Sequence, residues 1–208
     1  MQKIIFELPL NSLSYGNVSL NILREAFRIR NSLSVSVFPI AGKINVESFD
    51  KLDPEFKNWI TEKFNKRFDS ESFSKESKTI KIWHLNGSEM RVGTGNQVLY
   101  TFHETSEPTD LEVTLCSLQD KVVFSSKYSS DKFKDKGLDN IFHIPPGFDP
   151  DLTEINKAYL PNKIHFGLMG KWEHRKNTAQ ISCLGISLKT SLLILNINLW
   201  LIYYFLLP

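Results

Sequence analysis

Cysteine is almost missing from this chain. Cys116 and Cys183 stand 67 residues apart, with no CxxC pair and no Cys/His ligand spacing. That argues against a disulfide framework or a zinc site and makes a reducing cytoplasm the expected setting. An excess of one charge is lacking too: 25 basic and 23 acidic residues leave a net +2, too balanced for a nucleic-acid scaffold. The opening MQKIIFELPL has one lysine before a short apolar run that Glu7 interrupts, which is not the layout of a signal peptide. No internal repeat is visible. What is present is ordinary globular material: 41% hydrophobic and 23% charged residues support a real core and exclude disorder, collagen or coiled coil for the chain as a whole. At 208 residues it suits one good-sized domain, or a domain and a fragment.

The composition changes sharply near residue 182. Residues 181–208 hold one charged side chain, Lys189, and residues 191–208 hold none. Three readings of this tail stay open. Residues 186–207 are long enough for a membrane-spanning helix, with Asn196 and Asn198 as polar interruptions. A frame-shifted translation accounts for the loss of amphipathy. The third reading is an apolar helix packed on the sheet.

Residues 3–10 (KIIFELPL) have the short, β-branched and aromatic character of a buried strand. After a polar turn at 11–15 and the Gly16-Asn17 pair, Val18, Ile22, Leu23, Ala26 and Phe27 recur at helical spacing. Residues 34–40 alternate as a second strand. Helix is expected over 54–67, 108–118 and 129–136, the last stopped by Gly137. Further strands are expected over 79–85, 97–103, 121–125, 140–144 and 163–169. This alternation predicts an α/β fold: a Rossmann-like parallel sheet with flanking helices.

Residues 163–180, KIHFGLMGKWEHRKNTAQ, carry the most chemistry. An apolar strand gives way to a turn holding Lys171, Arg175 and Lys176 before a helix start near Asn177. Cations beside unsatisfied helix N–H groups suit a phosphate; a basic solvated loop is the other reading. His103 ends a strand at the edge where open α/β sheets bind ligands, although a strand-end histidine taken alone is more often a packed structural residue. His143 and His165 lie inside strands and read as packed, and the two cysteines as small core residues. Asp149-Pro150-Asp151 fits a metal-binding DxD pattern only formally, because it follows PPGF rather than a strand end.

The 163–180 stretch resembles the start of the donor-binding lobe in retaining glycosyltransferases of the GT-B fold, the glycosyltransferase 4/group 1 type. The upstream chain is similar to the acceptor lobe of that family in LPLNSLSYGNVSLNILREAF, in VLYTFHET and in KVVFSSKYSSDKFKDKGLDNIFHIPPGFDPD. The resemblance implies residues 1–160 as a Rossmann-like acceptor lobe and 161–181 as the first strand and helix start of a donor lobe, with 182–208 as the anomalous tail. It implies that Lys171 and Lys176, with Arg175 as an auxiliary, hold the diphosphate of a nucleotide-sugar donor. It also implies that His103 is a catalytic cleft histidine, and that Gly16, Asn17, His84 and Glu104 line the acceptor side. The expected reaction moves a sugar to a carbohydrate or lipid-linked acceptor hydroxyl with retention, without a metal or another cofactor and without a nucleic-acid partner. The family's donor lobe also carries an E-x7-E element, and no acid follows Gln180 here. This departure bears on turnover by the chain as given.

The competing reading is a non-catalytic Rossmann-like binding module, cytoplasmic and held at a membrane by the apolar tail. A dinucleotide-binding oxidoreductase ranks last, because LPLNSLSYGN offers one glycine where GxGxxG is needed.

Overall fold

The computed structural model describes residues 2–44, 52–69, 75–147, 164–169, 177, 180 and 197–202, with the backbone alone for 41–44, 164–169 and 197–202. The chain divides into two compact units, Met1–Leu152 and Thr153–Pro208; the sequence had suggested a division at 160/161.

In the first unit, β1 (Gln2–Leu10), β2 (Leu33–Ile44), β3 (Lys78–Ile82), β4 (Gln97–Thr101), β5 (Lys121–Phe124) and β6 (Ile141–His143) form one parallel sheet in the order β2-β1-β3-β4-β5-β6. The helices are α1 (Ser14–Arg28), α2 (Pro54–Asn65), α3 (Asp110–Ser117) and α4 (Lys127–Asp135). This is the α/β Rossmann-like architecture. The sheet grows outward from β1 to β2, then resumes from β3 on the other side of β1. The strand order therefore reverses between β1 and β3, and the crevice at the carboxyl ends of those two strands is where open α/β sheets take their ligands.

Period-two alternation sends successive strand residues into different cores. Tyr100 and Val123 face a cluster built with Leu20 and Leu23 of α1 and Phe56, Trp59 and Ile60 of α2. Leu99, Val122 and Phe124 face a second cluster with Cys116 of α3 and Phe133 of α4. Each fully buried Leu or Phe contributes about 1.5–3 kcal/mol, so the two clusters hold helices on both faces.

Local chemistry sets the helix ends. The Asp53 carboxylate accepts the Glu55 and Phe56 amides at 3.0 and 3.1 Å before Pro54-led α2. Thr109 and Glu112 form a reciprocal capping box on α3. Gly137, at φ +86°, stops α4 as expected, and its amide donates to the Lys134 carbonyl at 2.8 Å.

Two local expectations change. Helix α1 begins at Ser14 rather than Val18, so Gly16 and Asn17 lie in its first turn instead of a loop. His143 is exposed rather than packed, because among the described residues β6 pairs only with β5 and is an edge strand. In the second unit, β7 (Ile164–Met169) pairs in parallel with β8 (Ile197–Ile202). Those six tail residues are strand, where both helical readings of the tail had placed helix. Among the described residues no helix is long and apolar enough to cross a membrane.

Candidate functional site at the strand-order reversal

At the carboxyl ends of β1, β3 and β4, where a crevice is expected from the strand order, three turns come together. The first follows β1. Asn11 Oδ1 accepts the Leu13 amide at 2.9 Å, and the Leu13 carbonyl accepts the Asn17 amide at 2.9 Å, so the chain folds straight into α1. Gly16 is buried and makes that turn possible. A Cβ on it would stand 2.1 Å from the Asn11 carbonyl oxygen and 2.4 Å from Asn11 Oδ1. The close approach, not a special φ, requires glycine here.

The second turn follows β3 and carries half-buried Trp83 and exposed His84. Gly87, at φ +85°, reverses the chain beside the Trp83 indole. The third turn follows β4 and carries Phe102, His103 and Glu104.

Tyr15 joins the three. Its ring centroid lies 4.4 Å from that of His84, 5.1 Å from Phe102 and 6.1 Å from Trp83. Its hydroxyl accepts the Phe102 amide at 3.1 Å and lies 3.4 Å from Thr101 Oγ1. Burial raises the Tyr15 pKa above the ordinary tyrosine range, the Thr101 and Phe102 contacts oppose that, and the nearby Glu104 carboxylate adds to the rise. The phenol therefore stays neutral at physiological pH, as a fixed hydrogen-bonding post under an aromatic shelf.

The residues nominated from the sequence divide into three groups. Gly16 adjoins Tyr15 in α1, His84 packs on its ring, and the Glu104 carboxylate acts on it only through charge. Asn17 is exposed one step further along α1. His103 goes elsewhere: its side chain is 2% exposed, and its ring packs edge-on to Phe133 at 5.0 Å between centroids. Its Nε2 is 2.8 Å from Thr105 Oγ1 and 3.6 Å from Glu112 Oε2, and buried Nδ1 has no hydrogen-bond partner among the described residues. Lys171, Arg175 and Lys176, and Asp149 with Asp151, lie outside the described residues. Tyr15 was not singled out from the sequence; its signal was only its place before Gly16 in the turn between β1 and α1.

Beside this crevice is a cavity of about 470 Å³, bounded by one face of α1, by Tyr100 and by residues 144–147. The Tyr100 hydroxyl donates to the Ile144 carbonyl at 3.3 Å, tying the segment after β6 across the sheet. Among the described residues no group of three His, Cys, Asp or Glu side chains is placed to hold a metal ion.

No protein-family model matches this sequence, and no curated protein matches it. The geometry and the motifs carry the functional reading.

Proposed function

We propose that this chain is a nucleotide-sugar-dependent glycosyltransferase or its amino-terminal lobe, with the acceptor at the strand-order reversal. The observation that carries the reading is the packing of His84 and Phe102 on Tyr15, next to Gly16, at the ligand edge of the sheet. An aromatic shelf flanked by a carboxylate suits a sugar, which presents an apolar C–H face and a hydroxylated rim. On this reading Lys171 and Lys176, with Arg175, stabilise the departing diphosphate by charge positioning. Titration calorimetry of the full chain with uridine and guanosine diphosphates tests it. Binding is expected, weakened about tenfold or more by Lys171→Ala. A chain that binds no nucleoside diphosphate would overturn the donor half of the proposal.

Burial of the His103 ring favours a second reading, a binding module without turnover, because the histidine implied as catalytic is closed off from solvent. Sugar binding without any transfer would select it.

A further inference from the structure

The cavity beside the crevice has two unlike sides. Asn17, Asn21 and Glu25 recur every fourth residue along α1, a polar ridge rising about 6 Å per step. Arg24 donates to Asn21 Oδ1 at 3.1 Å and Arg28 to Glu25 Oε1 at 2.6 Å, so two of the three ridge side chains are held in place by neighbours one turn on. Ile144, Pro145 and Pro146 also line it, together with Val18 and Tyr100. Pro145 and Pro146 are rigid and exposed, and the Tyr100 tether fixes the wall they form.

We infer that this cavity is a second carbohydrate subsite, holding the acceptor sugar next to the one in the crevice. The inference rests on the glycosyltransferase reading and narrows its acceptor to an oligosaccharide rather than a single sugar. A volume of about 470 Å³ lies within the roughly 300–1,000 Å³ of small-ligand sites. The two-sided lining decides the chemistry. A pyranose lays its C–H face on the proline wall and turns its hydroxyls to the two amides and the carboxylate. An alkyl or isoprenyl chain fits the wall equally well, but unlike a sugar it returns no hydrogen bond to the polar groups of the ridge that it dries. The cavity adjoins the crevice through Tyr15, Phe102 and Tyr100, whose rings lie 5.1 and 5.7 Å apart in sequence.

The test is ligand-observed NMR on the full chain with mono-, di-, tri- and tetrasaccharides of glucose, mannose and N-acetylglucosamine. Octyl glucoside below its micelle concentration serves as the lipid-like probe. In the wild type at least one series is expected to tighten about tenfold between one unit and two or three. Val18→Trp, which fills the cavity, is expected to abolish that gain while monosaccharide binding stays. Asn21→Ala, at the rim and away from the core, is expected to reduce it about threefold and guards against a Val18→Trp protein that does not fold. Affinity independent of glycan length, loss of no gain in either variant, or tightening only with the octyl chain would each overturn the subsite. Length-dependent binding without any transfer from a nucleotide-sugar would leave the subsite standing and remove the transferase reading instead.

Discussion

The Cα of Gly16 sits so close to the backbone of Asn11 that a methyl group there would stand 2.1 Å from the carbonyl oxygen. This contact locks the turn after β1 onto the first turn of α1 and thereby aims Tyr15 at His84 and Phe102. Gly16→Ala gains about 1 kcal/mol of helix propensity and loses about 2–3 kcal/mol, the upper part of the overpacking range, to the backbone clash. We expect a net loss of about 1–2 kcal/mol, read from the urea midpoint, together with weaker ligand binding in the crevice. Gly137→Ala meets no atom within 4 Å and should cost only the roughly 1 kcal/mol of its left-handed backbone, without touching binding. A Gly16→Ala protein as stable as the wild type would remove this account of the turn.

Glu7 and Lys81 face each other in paired strands, 3.1 Å apart, with the Lys81 side chain 2% exposed and its Nζ also donating to the Met90 carbonyl at 2.7 Å. Burial raises the Glu7 pKa above the ordinary range despite the attraction of Lys81. Removing either charge alone leaves the other buried and unpaired, so Glu7→Leu or Lys81→Met should each cost about 3–5 kcal/mol. The double replacement should recover most of that loss. Equal, additive losses in a double-mutant cycle would mean that the pair is not coupled.

Acid should loosen the amino-terminal unit at a specific joint. The Gln97 amide at 2.8 Å, chiefly, and the Arg91 guanidinium at 2.8 Å hold the Asp120 carboxyl below its usual pKa, against a smaller opposing effect of burial. A depressed folded-state pKa gives stability that is present above the unfolded value, near 4, and is lost as pH falls through the folded one. Asp120→Ala should therefore cost roughly 1 kcal/mol at pH 7, a modest figure for a partly exposed pair. The gap from the wild type should close as pH falls below the ordinary aspartate range. A gap that is constant from pH 7 to pH 2 would show that the charge has no part in it.

The Tyr15 hydroxyl is a post rather than a base. Tyr15→Phe leaves the Phe102 amide without its acceptor, which costs about 1–3 kcal/mol if it stays dry. The raised pKa predicts that the Tyr15 phenolate signal comes in at higher pH than that of an ordinary tyrosine in ultraviolet difference spectra. A Tyr15-dependent absorbance step near neutral pH would contradict its role.

Most of the sheet was legible because its strands are apolar runs bounded by turn residues, and Gly137 marked the end of α4 for a stated physical reason. The start of α1 was not. Its N-cap residue is Leu13, which makes no side-chain capping bond, so the usual Ser/Thr/Asp/Asn signal is missing and the helix begins four residues before its apolar periodicity does. The site was half legible. Gly16, His84 and Glu104 could be picked as neighbours of strand ends, but the side on which a side chain leaves a strand end depends on how the backbone departs from the pleat. Pairing with Thr105 and packing on Phe133 turn His103 inward toward α3 and α4, and no local pattern encodes that. His143 was misread because a short apolar strand looks the same at the edge of a sheet as at its centre.

The measurement that bears most directly on the central claim is a transfer assay. The full chain is incubated with a panel of nucleotide-sugars and oligosaccharide acceptors, and acceptor-dependent nucleoside diphosphate release is followed together with the new glycosidic bond. The account predicts release above the acceptor-free background, a product anomer that matches the donor, and loss of both on Lys176→Ala and on Glu104→Gln. Donor left intact with every acceptor, beside full occupancy of the crevice by the same sugars, would contradict it.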